Sequence, residues 1–293
     1  MKTRLMTAAV GLCVLAAVML FFDTLVFETV VALIALIGIH EIYNAFALGK
    51  GTAHIFYAFI PYTLLVMFSN VPLVKMLLVP GTFVLGLYLA CCVIRHSQTL
   101  NAAKLGGMTM YSAMLLWSLF SFVFIKHQLG NMYEAVYLIL LILCFAWGGD
   151  SAAYFAGCYF GKHKLAPVVS PHKTVEGAIG GVLGSGLLGI ICTYAAIGIT
   201  QLLGTYESCP LLIYLGQHSS SILVVFVIGM VCSVLGILGD LFASAVKRQC
   251  QIKDYGTIFP GHGGILDRFD SVTFIAPAMG ILVWLVTKYL LNP

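Results

Sequence analysis

Charged side chains are scarce in this chain: only 9% of its 293 residues are Asp, Glu, Lys or Arg, whereas 61% are hydrophobic. The mean hydropathy is +1.02. So little charge excludes a soluble globular protein, because most of its surface would be apolar. Apolar runs of roughly 18 or more residues recur along the whole chain, and such runs are typical of membrane-spanning helices. The composition therefore predicts an all-α, polytopic membrane protein.

Several common patterns are also missing from the sequence. None of the nine cysteines forms a C-x-x-C pair, so we expect neither a zinc site nor a disulfide framework. The G-x-x-x-x-G-K pattern of a Walker A phosphate loop is not found. Residues 5–22 are longer than the apolar core of a signal peptide and lack a small-x-small cleavage site, so we expect them to be a retained membrane anchor.

The hydropathy pattern predicts about nine spans, at residues 5–22, 25–48, 53–70, 73–94, 108–126, 133–157, 177–200, 220–246 and 271–290. On this count, twelve of the 15 Lys and Arg residues fall on one side of the membrane, and only Lys75, Lys126 and Lys288 fall on the other. The positive-inside rule then predicts a cytoplasmic N-terminus and an external C-terminus. A compact chain without retention signals favours the bacterial cytoplasmic (inner) membrane.

The two halves of the chain differ in character. Residues 1–130 read as a scaffold of five apolar helices, and residues 131–293 as a catalytic region whose helices carry polar groups at their cytoplasmic ends. Within the scaffold, His40 and Glu41 interrupt an apolar helix; we favour structural pairing for them, because nothing else in that half converges on them. In the second half, small residues recur every fourth position, which predicts close helix packing: Gly177, Gly181, Ser185 and Gly189.

One short stretch departs from the scarcity of charge. Residues 247–270, "KRQCQIKDYGTIFPGHGGILDRFD", hold two Lys, two Arg and three Asp. Just before it, Asp240, Ser244 and Lys247 are spaced to share one stripe of a helix. Asp240 lies about 10 Å inside that helix, from 1.5 Å per residue. A carboxylate at that depth needs a partner, water or a metal ion.

The glycines of this stretch lead into a second pair of acids. Gly261, Gly263 and Gly264 permit positive φ angles, and their N–H groups could form a nest for an anion. Asp267 and Asp270 follow at helical spacing and, together with Asp240, form an oxygen-rich set suited to Mg²⁺. Either acid of the pair could instead cap a helix, and Asp240 and Asp267 could be ion-pair partners of nearby Lys and Arg side chains.

A further polar region lies upstream. Asp150 interrupts an apolar helix, with Tyr154 one turn further on. Residues 170–174, "SPHKT", lead into the helix that opens near Gly177, and a Lys-Thr pair before a helix N-terminus suits a phosphate group. Glu176 could simply offset the dipole of that helix. Acids for a divalent cation and cations for phosphates, at a membrane surface, together indicate phosphoryl or nucleotidyl transfer to a lipid.

The motifs resemble those of one family. The run S-x-x-K-R-x₄-K-D-x-G-x₃-P-G-H-G-G-x-x-D-R-x-D, uninterrupted from Ser244 to Asp270, resembles the signature of the phosphatidate cytidylyltransferases, also called CDP-diacylglycerol synthases. The stretches "GDSAAYFAG" and "GKHKLAPVVSPHKTVEG" are similar to upstream elements of that family, so the resemblance covers about residues 145–275. Val175 stands where the family usually has an aromatic residue, typically Trp, which bears on lipid preference.

The resemblance implies a nucleotidyltransferase of phospholipid biosynthesis that converts CTP and phosphatidate into CDP-diacylglycerol and pyrophosphate with Mg²⁺. It places the metal on Asp240 and Asp267, supported by Asp270 and Asp150. It places the triphosphate on Lys173, Lys247 and Arg248. Phosphate contacts near the lipid headgroup are expected from Ser244, His262 and Arg268. Ser170, Thr174, Lys253, Gly263 and Gly264 complete the expected substrate-binding set.

Other functions share parts of this pattern. A lipid or polyprenol kinase would use the same metal and phosphate groups, and a membrane transporter could also hold acids within its helices. A transporter would not need a glycine-rich cationic loop at the membrane surface. No nucleic-acid partner is expected, and the sequence leaves open whether the chain forms a homodimer.

Overall fold

The structure, a computed structural model, describes residues 2–49, 51–258 and 263–291. The first half contains α1 (Lys2–Leu20), α2 (Leu25–Phe46), α3 (Ala53–Met67), α4 (Pro72–Arg95) and α5 (Ala102–Leu129). Next come α6 (Met132–Leu143), a π-helical turn (Cys144–Gly148), α7 (Gly149–Phe160), strands β1 (Lys164–Ala166) and β2 (Ser170–Thr174), and α8 (Val175–Leu202). A 3₁₀ turn (Tyr206–Ser208), α9 (Pro210–Gln217), α10 (Ser219–Gln249), α11 (Leu266–Phe269), α12 (Val272–Val286) and a π-helical segment (Thr287–Leu291) complete the chain.

Seven helical segments of the described chain are long and apolar enough to cross a membrane: Leu25–Phe46, Pro72–Arg95, Ala102–Leu129, Met132–Phe160, Val175–Leu202, Ser219–Gln249 and Val272–Tyr289. This confirms the prediction of an all-α polytopic membrane protein, with one short β-hairpin added. The helices α1 and α3 coincide with the other two predicted spans. With 15 residues, α3 is about 22 Å long, less than the roughly 30 Å of a bilayer core. The number nine stays a prediction.

Local sequence sets where several helices begin. The side chains of Thr24, Asn131 and Thr174 accept hydrogen bonds from backbone N–H groups in the first turns of α2, α6 and α8, respectively. These contacts satisfy donors that a helix start otherwise leaves without a partner. Pro72 occupies the first turn of α4, where its missing N–H costs nothing. The short polar residues between the apolar runs therefore define the helix boundaries.

The chain divides into two compact units. The first unit, Met1–Val123 with Val246–Phe269, contains α1 to α4, most of α5, and the charged stretch that begins in the last turn of α10. Its core includes Ile39, Ile42 and Met108, which are fully buried. Packing therefore joins the charged stretch to the N-terminal helices, whereas the predicted functional division was at residue 130. That functional division stays a prediction.

The second unit, Phe124–Ala245 with Asp270–Pro293, is organised around close packing of α7 against α8. A Cβ atom added to Gly181 would lie 2.9 Å from the Ala153 side chain and 3.1 Å from the Gly149 carbonyl oxygen. At Gly189 the same atom would meet the Phe145 ring at 2.5 Å. The predicted role of the small residues in close helix approach is confirmed.

Candidate active site

The charged stretch is organised by the carboxylate of Asp267, which is 8% exposed. Its Oδ1 atom accepts a hydrogen bond from the Lys247 ammonium at 2.8 Å. Its Oδ2 atom accepts from the backbone N–H groups of Tyr255 and Gly264, both at 2.9 Å. Charge-assisted hydrogen bonds of this kind are stronger than neutral ones. One side chain therefore joins the end of α10, the segment that follows it and the start of α11.

The end of α10 turns the chain toward this carboxylate. Gln251 adopts a left-handed conformation with φ 59°, and the Ile252 N–H donates to the Lys247 carbonyl at 3.0 Å. This is the usual reversal at a helix C-terminus, here without the glycine that most often provides it. Beyond the turn, the buried Tyr255 ring contacts the Tyr111 ring edge-on, with 5.9 Å between the ring centres. The Lys247 ammonium lies 5.4 Å from the centre of the Tyr255 ring.

A second carboxylate, Glu41 of α2, binds the same segment from the N-terminal helices. Glu41 is 3% exposed. Its Oε1 atom accepts from the Ile265 N–H at 3.0 Å, and its Oε2 atom accepts from the Leu266 N–H at 2.8 Å. These two N–H groups begin α11, so Glu41 caps that helix with a negative charge. The pairing expected for Glu41 exists, but the partners are backbone groups 224 and 225 residues away.

A protein carboxylate occupies one of the three glycine N–H groups that the sequence suggested for an anion nest. Gly263 has φ +83°, as expected for a glycine turn. The Gly264 N–H, however, donates to Asp267. Gly261 and His262 lie outside the described residues. In the described part of the loop, therefore, the protein's own carboxylates take up N–H groups that a phosphate could otherwise bind.

In the second unit, the β-hairpin presents Lys173 to α10. The strands β1 and β2 are antiparallel, with Lys164 opposite Thr174. The Lys173 ammonium forms an ion pair with the Oδ2 atom of Asp240, and the two side chains are about a quarter exposed. The Ser244 hydroxyl donates to the other oxygen of Asp240 at 3.2 Å. The predicted proximity of Asp240 and Ser244 is confirmed, and the structure adds Lys173 to them.

The start of α8 is tied down by two side chains. Thr174 caps the helix by accepting from the Gly177 N–H at 3.1 Å. Glu176 accepts from the backbone N–H groups of Lys162 and His163, at 3.0 and 3.2 Å, and contacts the His163 ring at 2.6 Å. Glu176 therefore fixes the chain that enters the hairpin, whereas Thr174 and the hairpin together place Lys173.

Asp150 and Asp270 meet at Ser271. The exposed Asp150 accepts from the Ser271 hydroxyl at 3.0 Å, and the Asp270 carboxylate accepts from the Ser271 N–H at 2.8 Å. A Cβ atom on Gly239 would lie 2.5 Å from the Asp270 carbonyl oxygen, so α10 passes close beside this residue. Asp240 follows Gly239 directly, so it lies on the part of α10 that packs beside Asp270.

The second unit contains an apolar groove of about 350 Å³. It is lined only by apolar side chains of β1, α8 and α10: Leu165, Val175, Ala178, Ile179, Val182, Leu183, Met230, Val234, Ile237 and Leu238. Val175 is two residues from Lys173 in the sequence, and Leu238 is two residues from Asp240. Along α8 the lining residues run from Val175 to Leu183, a length of about 12 Å.

The remaining predicted cations are accessible to solvent. Arg248, Lys253 and Arg268 are exposed, and Ser170 is half-buried. The substrate contacts predicted for these residues stay predictions.

The sequence matches the family model described as the cytidylyltransferase family over residues 2–286. The chain belongs to this family. Similar curated proteins include the phosphatidate cytidylyltransferases of Staphylococcus haemolyticus, Staphylococcus aureus (strain COL) and Staphylococcus epidermidis, at 37%, 38% and 39% identity. Each alignment covers 150 residues, which are 51% of this chain and 50% of the relative. The chain therefore spans about half the length of the curated relatives it matches.

The acids of this chain suit Mg²⁺ by their chemistry, since carboxylate oxygens are the ligands this cation prefers. Asp240 and Asp267 each already give one oxygen to a cation, the ammonium of Lys173 or of Lys247. The other oxygen of Asp267 is taken by two backbone N–H groups, which leaves Oδ1 as the atom that faces a positive charge. Among the described residues no group of three or more His, Cys, Asp and Glu side chains is placed to hold a metal ion. A pair of carboxylates falls below that number, so the magnesium site stays a prediction.

Glu41 binds the segment that carries Asp267, but the sequence analysis did not include it among the site residues. The only signal in the sequence was an acid within an apolar helix. Its partners are backbone N–H groups, which every residue except proline possesses, so no pattern in the sequence could identify them.

Proposed function

We propose that this cytidylyltransferase transfers the CMP moiety of CTP to phosphatidate and releases pyrophosphate, forming CDP-diacylglycerol for phospholipid biosynthesis. In this reaction a phosphate oxygen of phosphatidate bonds to the α-phosphorus of CTP while the bond to pyrophosphate breaks. The attacking oxygen is already anionic near neutral pH, so no strong general base is needed. The protein contributes mainly positioning and neutralisation of charge.

The observation that carries this proposal is an apolar groove in the same unit as the Lys173–Asp240 pair; two of its lining residues, Val175 and Leu238, are each two residues in sequence from a member of that pair. An amphiphile with a phosphate headgroup matches both parts, because its headgroup suits Lys173 and its acyl chain suits the groove. A groove of about 350 Å³ is within the usual range for ligand sites. Val175 contributes to this lining, and a Trp in its place would fill much more of the space. We propose that the groove holds an acyl chain of phosphatidate.

We assign the triphosphate to cationic side chains and not to backbone N–H groups. The described N–H groups of Gly264, Ile265 and Leu266 are already bound to protein carboxylates. Lys173, Lys247 and Arg248 would bind the triphosphate, whereas Ser244, Arg268 and His262 would contact the lipid phosphate. Ser170, Thr174, Lys253, Gly263 and Gly264 would support substrate binding.

Asp240 and Asp267 would hold Mg²⁺, with Asp270 and Asp150 in support. When bound, the ion would offset negative charge on the phosphate oxygens. Each of the two main acids holds a lysine that we also assign to the triphosphate. Substrate phosphates would therefore compete with Asp240 for Lys173, and with Asp267 for Lys247, which would leave carboxylate oxygens free to bind the cation.

We also propose that the charged stretch faces the cytoplasm of a bacterial inner membrane, with the N-terminus inside and the C-terminus outside. The bias of Lys and Arg residues supports this orientation. It does not depend on a count of nine, because leaving out both α1 and α3 preserves the side on which every later loop lies. Eleven of the 15 basic residues then remain on the cytoplasmic side.

The deciding experiment measures pyrophosphate release by the purified full-length protein supplied with CTP and Mg²⁺, with and without phosphatidate. We expect release only when all three are present, together with transfer of label from α-³²P-CTP into lipid. Transfer of γ-label and not α-label would instead identify a lipid kinase. If neither label reaches the lipid, although the protein is folded, the proposed function is wrong. Light scattering on the same preparation determines whether the enzyme is a homodimer.

A further inference from the structure

We infer that Glu41 is a positioning residue, which fixes the backbone of the charged stretch that carries Lys247 and Asp267. The effect of Glu41 on catalysis rests on the proposed function. Glu41 lies on α2, far in sequence from every residue assigned to the site. Its carboxylate binds the N–H groups of Ile265 and Leu266. Asp267 is the next residue, so the bond to Leu266 fixes the backbone directly before the acid proposed to hold the metal.

The space around Glu41 supports a specific role and not incidental burial. A Cβ atom added to Gly256 or Gly264 would collide with the Glu41 carboxylate. The two glycines therefore allow the backbone to approach this side chain from two directions. Gly264 also donates its N–H to Asp267, so it connects the two carboxylates.

The arrangement forms a chain of contacts from a membrane helix to the candidate site. Glu41 binds the start of α11, Asp267 on α11 binds Lys247, and Lys247 belongs to the last turn of α10. Groups that orient a metal-binding or phosphate-binding residue commonly change affinity or activity about 10- to 100-fold when they are removed. We expect an effect of this size for Glu41, although its side chain contacts backbone and not substrate.

Another buried glutamate provides a matched control. Glu134 is 4% exposed and accepts from the Leu211 N–H at 2.6 Å, at the start of α9. It therefore resembles Glu41 in burial and in capping a short helix. Glu134 is not assigned to the candidate site, and α9 contains no residue that is. A purely structural role should make the Gln variants of the two glutamates behave alike.

The test compares Glu41→Gln with Glu134→Gln in detergent-solubilised full-length protein. The Gln amide retains one acceptor oxygen but directs N–H groups toward a backbone donor, so one of the two cap bonds is lost. Hydrogen–deuterium exchange, measured without nucleotide or metal, should become faster in residues 263–269 for Glu41→Gln only. In the activity assay, the same variant should need about 10-fold or more Mg²⁺ for half-maximal rate. Glu134→Gln should retain the wild-type Mg²⁺ requirement.

Gly264→Ala provides a second test, because its methyl group presses against the Glu41 carboxylate without removing a charge. If Glu41→Gln cannot be purified in a folded state, hydrogen–deuterium exchange in residues 263–269 of Gly264→Ala that is faster than in the wild type would support the proposal. Wild-type exchange in the folded variant or variants would overturn it, as would equally fast exchange in Glu134→Gln. An unchanged Mg²⁺ requirement would overturn the link to the site. If the wild-type protein has no transferase activity, the proposed function fails, while the exchange data still decide whether Glu41 positions the loop.

Discussion

Replacing Asp267 with Asn preserves the size of the side chain but removes the charge opposite Lys247. Asp267 is 8% exposed and, among the described residues, accepts one hydrogen bond from the Lys247 ammonium and two from backbone N–H groups. An Asn must direct its NH₂ group either at the ammonium or at the two N–H donors, and both choices place donor against donor. Removing one partner of a buried ion pair costs about 3–5 kcal/mol. We expect Asp267→Asn to lose stability on that scale.

The equivalent change at Asp240 should have a much smaller effect on stability. Asp240 and its partner Lys173 are about a quarter exposed, and within the described part of the chain Asp240 also accepts from the Ser244 hydroxyl. Partly exposed ion pairs contribute about 0–1 kcal/mol, because water replaces the lost partner. Asp240→Asn should therefore fold and melt nearly as the wild type does. If Asp240 holds Mg²⁺, its turnover should nevertheless fall by orders of magnitude.

Thermal melting in detergent, without nucleotide or Mg²⁺, and CTP turnover on the same preparations test this reasoning. For a chain of this size, a loss of 3–5 kcal/mol corresponds to a decrease in Tm on the order of 10 °C. A wild-type Tm for Asp267→Asn would refute the structural role of its three hydrogen bonds. Substantial Mg²⁺-dependent turnover by Asp240→Asn would remove Asp240 from the metal site. An unstable but active Asp267→Asn would show that this acid serves the fold alone.

Three further predictions concern substrates and topology. Lys173→Ala should raise the KM for CTP about 10- to 100-fold, which is the effect of losing one charged hydrogen bond, and should change the KM for phosphatidate less. The control, Lys164→Ala on the neighbouring strand, should leave both KM values unchanged. An unaltered KM for CTP in Lys173→Ala would exclude Lys173 from the site. Val182→Trp should fill the groove and reduce activity with long-chain phosphatidate more than with a short-chain analogue. Leu187→Trp, on an exposed part of α8 outside the groove, provides the control. An equal loss of activity with both lipids would contradict the acyl-chain assignment. Thr257→Cys, in a background without the exposed native cysteines, should resist impermeant thiol reagents in intact cells and react after the membrane is opened; ready labelling from outside contradicts the proposed orientation. Thr257 is chosen because it is exposed, whereas the neighbouring Tyr255 is 6% exposed and would react slowly from either side.

The sequence by itself determined that the protein is an all-α chain with several apolar helices long enough to span a membrane. Apolar runs long enough to span a bilayer are a local property, because each helix satisfies its own backbone hydrogen bonds without help from distant residues. Seven of the predicted spans meet this criterion in the structure, and the packing of α8 through its small residues was also visible as a four-residue repeat. The proximity of Asp240 and Ser244 followed in the same way, since residues four apart on a helix are neighbours.

Only the tertiary structure decided which partner each charged group has. The sequence offered several cations for Asp240 and Asp267, and the fold selected Lys173 for one and Lys247 for the other. It also placed Glu41 against backbone N–H groups more than 220 residues away and grouped the charged stretch with the N-terminal helices. The physical reason is the range of the interactions. Helix formation depends on residues within one or two turns, whereas a buried carboxylate takes the donors that the folded chain brings within about 3 Å, however far away they are in the sequence.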